Sequence, residues 1–258
     1  MIKEERLQKI QAIVDKRGNV SVEELANELK KSRMTIRRDL QFLSMNGNIQ
    51  RTHGGAISSR NENHFQTPFF VVQAKKDVEE KLIIAKRVAS MIGRGEKIYL
   101  SAGTTTYWLA SVLRNRDDLI VLTNSLTNAA LLAQNPYIEI IMVGGFLRHK
   151  ELSLVGHFAE TVVSQLHIDK TILGIRGIHP DHGFTSDYPR EMMNDRSFMR
   201  STENVIIVAD HTKFGHIAAS VTAPITVAKT IVTTSKAPPD IVKAIRDQGV
   251  EVILADES

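Results

Sequence analysis

The length, composition and charge of the chain exclude several classes of protein before any motif is considered. With 258 residues, 42% of them hydrophobic and 24% charged, it resembles a soluble globular protein with room for two domains. It has no cysteine, which excludes disulfides and thiolate zinc sites. A polar start without a secretory leader, and no apolar run near the roughly 20 residues of a membrane span, predict a cytoplasmic protein without a membrane partner.

The positive charge is concentrated in the first quarter of the chain. The net charge is +4, and residues 1–60 contain 12 Lys and Arg against 7 Asp and Glu. Residues 61–258 contain 21 against 22. A polyanionic partner is therefore expected for the amino-terminal segment.

Two helices are predicted first. Residues 4–16 have apolar residues at helical spacing and end at Gly18. Ser21 begins a second helix, and Glu24, three residues later, completes a capping box.

A third helix after Lys30 and Lys31 contains most of the basic residues. Ile36, Leu40 and Leu43 form an apolar stripe at i, i+4 and i+7. Arginine forks and small polar groups on the other side match base edges and phosphates of a DNA major groove. The candidate DNA-binding residues of this helix are Ser32, Arg33, Met34, Thr35, Arg37, Arg38 and Gln41. Taken alone, the run also fits a solvated basic face.

A β-hairpin is predicted beyond a turn at residues 46–47. Its strands are 49–51 and 56–57, and it would form a wing that places Arg51 and His53 near phosphates. His53 fits a solvent-exposed loop equally well. The polar, aperiodic residues 58–68 then predict a domain boundary, giving a DNA-binding domain at 1–57, a linker at 58–74 and a second domain at 75–258.

The second domain is predicted to be an α/β fold with a mainly parallel sheet. Six short β-rich runs, most of them separated by helical stretches, lie at 97–101, 119–123, 138–143, 171–175, 205–209 and 230–233. Ligands of such sheets bind at the carboxyl ends of the strands. The residues that follow each run are therefore the candidate site.

Small and hydroxyl-bearing residues follow three successive strands. They are Ser101, Gly103, Thr104, Thr105 and Thr106 after the first, Asn124 and Ser125 after the second, and Gly144 and Gly145 after the third. Hydroxyls and backbone N–H groups at a helix start bind phosphate, and glycine permits close approach of the backbone to a ligand. Each signal alone is a common structural device, but together they favour a phosphorylated small molecule.

Charged residues follow the later strands. Asp187 and Glu191 lie at a helix entry and are candidates to accept hydrogen bonds from sugar hydroxyls, while Lys213 is a candidate partner for phosphate or carboxylate. The alternative is that both carboxylates cap helices and Lys213 is a surface residue.

The motifs together resemble the DeoR family of bacterial transcriptional regulators. The amino-terminal motifs are Glu5-Arg6, Ser32-x-x-Thr35-Ile36-Arg37-Arg38-Asp39-Leu40 and Arg51-x-His53-Gly54-Gly55-Ala56. The later motifs are Glu80-Lys81-x-x-Ile84-Ala85, Gly103-Thr104-Thr105, Thr123-Asn124-Ser125-Leu126, Gly144-Gly145, Gly156 and Lys213-Phe214-Gly215. The match covers nearly the whole chain.

The resemblance implies a winged helix-turn-helix that binds operator DNA, with Thr35, Arg37 and Arg38 on the recognition helix. Asp39 is expected to orient a neighbouring arginine, since it would repel phosphate. The second domain is expected to be similar to ribose-5-phosphate isomerase and to sense a phosphorylated sugar or related metabolite. The family expectation is a repressor of a carbohydrate-metabolism operon that acts as a homo-oligomer.

A sugar-phosphate isomerase or deaminase with an appended DNA-binding domain is the alternative function. Asp187, Glu191 and Lys213 would be its acid–base residues, but the chain has no nucleophile-plus-base signature, so we predict that it is not an enzyme. The tightest histidine groups, His179 with His182 and His211 with His216, form no closed ligand set. No metal or cofactor is therefore predicted.

Overall fold

The computed structural model describes residues 3–45, 49–52, 54–58 and 69–256. The chain divides into two units, residues 1–67 and 68–258, and each has its own hydrophobic core. The predicted turn at 46–47, His53 and residues 59–68 of the predicted linker lie outside the described residues. No helix in the described ranges is long and apolar enough to cross a membrane.

The first unit is a winged helix-turn-helix, as predicted. Its elements are α1 (Lys3–Arg17), β1 (Asn19–Ser21), α2 (Val22–Leu29), α3 (Arg33–Met45), β2 (Ile49–Arg51) and β3 (Gly55–Ser58). The strands form an antiparallel sheet in the order β1-β3-β2. The predicted hairpin is therefore present, but β1, which pairs with it, was not expected.

Side-chain caps fix the starts of α2 and α3 in this unit. The Ser21 hydroxyl accepts a hydrogen bond from the Glu24 N–H at 3.1 Å, and the Glu24 carboxylate accepts one from the Ser21 N–H at 2.7 Å. Lys30 then adopts the left-handed conformation at φ 50° and ends α2. The Ser32 hydroxyl accepts from the Thr35 N–H at 3.2 Å at the start of α3.

The second unit contains seven helices and twelve strands within its described residues. In chain order these are α4 (Phe69–Ala74), α5 (Val78–Ser90), β4 (Lys97–Leu100), α6 (Thr104–Leu113), β5 (Ile120–Thr123), α7 (Leu126–Leu132), β6 (Glu139–Met142), β7 (Phe146–Arg148), β8 (Ser153–Val155), α8 (His157–Ser164), β9 (Lys170–Gly174), β10 (Gly177–His179), β11 (Gly183–Ser186), α9 (Pro189–Met199), β12 (Val205–Val208), β13 (Ser220–Ala223), β14 (Thr230–Thr233), α10 (Pro239–Arg246) and β15 (Glu251–Leu254).

The main sheet is parallel throughout and confirms the predicted fold class. Its order is β15-β14-β12-β9-β4-β5-β6, so all six predicted strands are present and β15 adds a seventh. Neighbouring residues of one strand enter different cores: Tyr99 packs in one cluster, and Ile98 and Leu100 in another. Because both faces are covered, the strands are apolar on both sides.

Three features of this unit differ from the expectation. Residues 69–74, expected to be part of the linker, form α4, where Phe70 is buried and its ring lies 5.4 Å from the ring of Tyr107. The hairpin β7-β8 and the antiparallel sheet β10-β11-β13 were not predicted. Their strands contain glycine, serine or a charged residue in place of the continuous apolar runs of the main sheet, as in Gly183–Ser186 and Ser220–Ala223, so no strand signal is present in the sequence there.

Candidate nucleic-acid interface and ligand cavity

Helix α3 separates its apolar and basic residues. Ile36, Leu40 and Leu43 are buried in the core of the first unit. The candidate DNA-binding residues Arg33, Met34, Arg37, Arg38 and Gln41 are exposed, with Met34 62% exposed, and Thr35 is half-buried. The helix is thus anchored on one side and free to enter a groove on the other.

Two of the arginines on α3 make no ion pair within the described part of the chain. Among the described residues, no ion pair includes Arg37 or Arg38, whereas Arg33 pairs with Glu23 on α2. Arg51 at the end of β2 is also exposed, and His53 lies outside the described residues. Exposed, unpaired guanidinium groups are suited to phosphate and base contacts.

Asp39 does not belong to the exposed basic surface. Its side chain is buried, and its Oδ2 accepts a hydrogen bond from Nε of Arg6 on α1 at 2.6 Å. The same contact raises the pKa of Arg6. The expectation that Asp39 engages a neighbouring arginine is confirmed, and that arginine is Arg6.

A cavity of about 390 Å³ lies at the carboxyl ends of β4, β5, β9 and β12. Its volume falls within the range of small-molecule sites. Seven of the predicted effector residues line it: Gly103, Thr104, Thr105, Asn124, Asp187, Glu191 and Lys213.

The other five predicted effector residues do not line the cavity, and four of them make contacts that support the fold. The Ser101 hydroxyl accepts from the Gly174 N–H at 3.0 Å, and the buried Thr106 hydroxyl donates to the carbonyl oxygen of Gly103 at 2.9 Å. Ser125 caps α7 by accepting from the Asn128 N–H at 3.1 Å.

The paired glycines at 144 and 145 also lie outside the lining of the cavity. A Cβ on Gly145 would lie 2.7 Å from the carbonyl oxygen of Val155, and φ of Gly145 is +145°. The close approach therefore involves the backbone of β8 rather than a ligand. Gly144 has open space around it and does not line the cavity either.

Lys81 is a cavity residue that was not predicted. It lies on α5 and is buried, and its Nζ donates to the carbonyl oxygens of Gln73 at 3.2 Å and Lys76 at 2.6 Å. Burial lowers its pKa, partly offset by the charge of Asp210. The motif Glu80-Lys81 contained this residue, but its position inside a helix gave no sign that it reaches the strand ends.

Lys213 approaches the same part of the site from a 3₁₀ turn, His211–Lys213, after β12. Its Nζ lies 3.0 Å from the Thr212 hydroxyl and 3.7 Å from Oδ1 of Asp210. The turn is fixed by buried Glu80, which accepts from the His211 N–H at 2.9 Å and contacts Nδ1 of the same ring at 2.8 Å. The charge of Lys213 acts on Lys81, and both side chains line the same cavity.

A second cluster of charged side chains surrounds the start of α9. Arg148 of β7 donates to Glu191 at 2.6 Å and stacks on the ring of Tyr188 at 4.5 Å, and Arg176 donates to Asp187 at 2.9 Å. Neither carboxylate caps α9, because the cap residue is Tyr188. The alternative interpretation of these two acids is therefore wrong.

Asp195 is a further cavity residue that was not predicted. It is four residues beyond Glu191 on α9 and is buried, and burial and the charge of Glu191 raise its pKa well above the usual range. The spacing of Glu191 and Asp195 gave a signal, since residues four apart on one helix share a face. No group of three potential metal ligands is found in the described part of the chain.

Family comparisons identify both units. A model described as a DeoR-like helix-turn-helix domain matches residues 6–62, and one described as a DeoR C terminal sensor domain matches residues 76–235. Together with the exposed face of α3 and the cavity, these matches define a DNA-binding transcriptional regulator with a sensor domain. The chain belongs to the DeoR family, as the sequence motifs predicted.

Relatives that match this chain over most of their length are named as transcriptional regulators or repressors. The chain is 33% identical to the HTH-type transcriptional repressor CsqR of Escherichia coli, over 95% of this chain and 93% of that protein. It is 32% identical to the glycerol-3-phosphate regulon repressor of E. coli, over 94% and 95%. It is 33% identical to the uncharacterized HTH-type transcriptional regulator FruR of Bacillus subtilis, over 91% and 92%. The chain is accordingly a regulator and not an enzyme.

Solved structures match only part of the chain, at low sequence identity. Ribose 5 phosphate isomerase A from Neisseria gonorrhoeae matches with a TM-score of 0.38 and 15% identity, over 52% of each chain. RipA from Yersinia pestis matches with a TM-score of 0.45 and 14% identity, over 66% of this chain and 53% of that one. The likeness covers only part of each chain, and the ligands of those proteins are not transferred.

Proposed function

We propose that this protein is an operator-binding repressor of a carbohydrate-metabolism operon and that a phosphorylated sugar in the cavity releases it from DNA. The observation that carries the proposal is the meeting of Lys81, Lys213 and the loop Gly103 to Thr105 at one cavity. Two ammonium groups and a helix start form a site for a dianion.

The phosphate would bind at the start of α6. This ten-residue helix begins after Gly103, so the N–H groups of Thr104 and Thr105 have no partner within the helix and the positive end of its dipole faces the same way. Both threonines also supply hydroxyls. The lysines then neutralise the charge that the backbone groups orient.

The names of the relatives support repression and a small phosphorylated compound. One E. coli relative is the glycerol-3-phosphate regulon repressor, and one from E. coli O157:H7 is a putative aga operon transcriptional repressor. On the DNA side, the proposed contacts are the exposed residues of α3, with Arg37 and Arg38 as the principal ones and Arg51 at the wing.

Lys81 offers a route from ligand to DNA. Its ammonium group holds the carbonyl oxygens of Gln73 and Lys76, which lie at and just beyond the end of α4. Helix α4 is the first described element after residues 59–68, the segment that follows the DNA-binding unit in sequence. A phosphate that attracts Lys81 competes with both carbonyls and so favours a different arrangement of α4, which gives the ligand a different affinity for the two states.

The repressor is proposed to act as a homo-oligomer on repeated half-sites. In a dimer, two recognition helices would lie about 34 Å apart, or a multiple of that distance, to meet successive major grooves. Phosphate contacts would make binding salt-dependent.

The test combines ligand screening with DNA binding. Sugar phosphates are screened by thermal shift, where a ligand at about 100 times its dissociation constant stabilises the folded state by about 2.7 kcal/mol. An operator is selected from random duplex DNA with the wild-type chain, and each hit is titrated into the complex. We expect a stabilising sugar phosphate to weaken operator binding at least fivefold. Stabilisation without any change in operator affinity would refute the switch, and no stabilisation by any sugar phosphate would refute the assigned ligand class.

A further inference from the structure

We propose that Asp195 is the specificity-determining residue of the cavity and that it binds an ammonium group of the ligand, so that the effector is a phosphorylated sugar bearing a primary amine. This inference rests on the proposed function and names the ligand class for the same site.

The first observation is that Asp195 has no hydrogen-bond partner among the residues that the structure describes. Its side chain lines the cavity and only 4% of the residue is exposed. Within the described ranges, no protein group donates a hydrogen bond to its carboxyl. Buried polar groups in native proteins are nearly always paired, so a buried carboxyl that faces a cavity indicates a partner from the ligand.

The second observation is the shortage of positive charge around it. Arg148 donates to Glu191 at 2.6 Å and lies 3.9 Å from Glu151, and it also acts electrostatically on Asp195. The neighbouring guanidinium of Arg176 is bonded to Asp187 at 2.9 Å. Arg176 also acts electrostatically on Glu191. Four carboxyl groups, including that of Asp187, are thus matched by two guanidinium groups, and a cation is the group that this arrangement lacks.

The directions of the pKa shifts of Glu191 and Asp195 agree with this shortage of positive charge. Burial raises the pKa of both Glu191 and Asp195, and Arg148 opposes the rise at each of them. A cation bound beside Asp195 would oppose this rise. An ammonium group supplies the missing charge and up to three donors, whereas a sugar hydroxyl supplies one donor and no charge.

The remainder of the cavity complements the same ligand. Lys81 and Lys213 interact with each other and with Asp210, while Glu191 and Asp195 interact with Arg148. One cavity thus presents a cationic group to a phosphate and a carboxyl-rich group to an amine. Its volume of about 390 Å³ is suited to one small molecule.

The experiment measures how much an amine contributes to binding. Titration calorimetry at pH 7.5 compares glucosamine 6-phosphate with glucose 6-phosphate, and galactosamine 6-phosphate with galactose 6-phosphate, each pair differing in a single amine. We expect the wild-type chain to bind the amine member of at least one pair about tenfold tighter or more. Asp195→Asn should abolish this ratio and leave the affinity for the hydroxyl member within about threefold. Asp117→Asn, at a carboxylate that is 72% exposed and outside the cavity, should leave the ratio unchanged.

The outcomes separate this inference from the proposed function. Equal or weaker binding of both amines by the wild-type chain, or a ratio that persists in Asp195→Asn, overturns the role of Asp195. If glucose or galactose 6-phosphate binds without an amine preference, the sugar-phosphate function stands and only this inference fails. If none of the four compounds binds and inorganic phosphate gives no thermal shift, both fail.

Discussion

Nε of Arg6 lies 2.6 Å from Oδ2 of Asp39, and Nη2 of the same guanidinium lies 3.1 Å from Oδ1. This two-point contact joins α1 to α3 across 33 residues of sequence and is largely buried, with the Arg6 side chain 13% exposed. It fixes the orientation of the helix that presents Arg37 and Arg38. The presence of Asp39 on a basic helix is explained by this contact: Asp39 supports α3 and does not contact DNA.

A lysine in place of Arg6 keeps the positive charge but removes the guanidinium group, and so tests whether the Arg6–Asp39 contact supports α3. Arg6→Lys retains a cation but loses the second hydrogen bond, because a lysine amine cannot reproduce the planar guanidinium geometry. We expect the first unit to lose about 1–3 kcal/mol of stability and operator affinity to fall with it. Hydrogen exchange of amides in residues 3–45 measures the loss.

Arg17→Lys is the matched control, because Arg17 pairs with Glu28 at the surface, where both side chains are at least 40% exposed. It should change stability by less than about 0.5 kcal/mol. Equal protection of the amides in Arg6→Lys and the wild-type chain would contradict the proposed support.

The exposed arginines of α3 are expected to contribute directly to DNA binding. Arg38→Ala should weaken operator binding by about 1–3 kcal/mol if the side chain contacts a base, and should reduce the salt slope by about one if it contacts a phosphate. Fluorescence anisotropy titrations at several salt concentrations distinguish the two contacts. Arg94→Ala, in the second unit and 85% exposed, is the charge-matched control. An operator affinity and salt slope equal to those of the wild-type chain would exclude Arg38 from the interface.

Adjacent glycines in the wing should respond differently to the same substitution. A Cβ on Gly55 would lie 2.1 Å from the carbonyl oxygen of Val20 and 2.9 Å from Cα of Ser21, both backbone atoms of β1. Gly54 has nothing within 4 Å of its Cβ position. Gly55→Ala should therefore separate β1 from β3 and destabilise the unit by about 1–3 kcal/mol, whereas Gly54→Ala should have little effect. Thermal unfolding of both variants measures the difference, and equal melting temperatures would be inconsistent with this packing.

Features of the fold that depend on local sequence patterns could be predicted from the sequence alone. Capping boxes, the apolar stripe of α3 and the buried strands could be predicted because each depends on residues a few positions apart. Strand β1 could not, since its three residues are recognised only by their pairing with β3 more than thirty positions later. Gly145 was assigned to a ligand for the same reason: its contact with Val155 depends on the return of the β7-β8 hairpin.

Some of the residues that line the cavity could be predicted from the sequence and others could not. The strand-end rule located Gly103, Asn124 and Lys213, since parallel strands bring their carboxyl ends to one edge. Lys81 and Asp195 lie within helices, and only the packing of those helices against the sheet directs their side chains to that edge.

Lys213 is expected to contribute to phosphate binding through its charge. Lys213→Ala should weaken binding of a sugar phosphate by about 1.5–3 kcal/mol, the usual contribution of a hydrogen bond to a charged group. Lys86→Ala, at an exposed residue of α5 outside the cavity, should have no effect. Titration calorimetry with a hit from the thermal-shift screen measures both. A dissociation constant unchanged in Lys213→Ala would move the phosphate elsewhere in the cavity.

Asp195 should make the folded chain less stable as pH rises. Burial raises its pKa, so the folded state keeps a proton that the unfolded chain releases above about pH 3.9, and stability declines from there up to the folded-state pKa. Asp195→Asn removes this proton and should melt at a higher temperature than the wild-type chain at pH 7–8, with the difference shrinking towards pH 4. Scanning calorimetry between pH 4 and 8 measures it.

Asp118 provides the control of opposite sign. Hydrogen bonds from Arg116 lower the pKa of Asp118 to about 2, so its contribution to stability is present above about pH 3.9 and is lost as pH falls through about 2. Asp118→Asn should therefore melt at a lower temperature than the wild-type chain at neutral pH. If Asp195→Asn also melted lower at pH 8, the Asp195 carboxyl would have to be stabilised in its charged form, and the shortage of positive charge around it would be disproved.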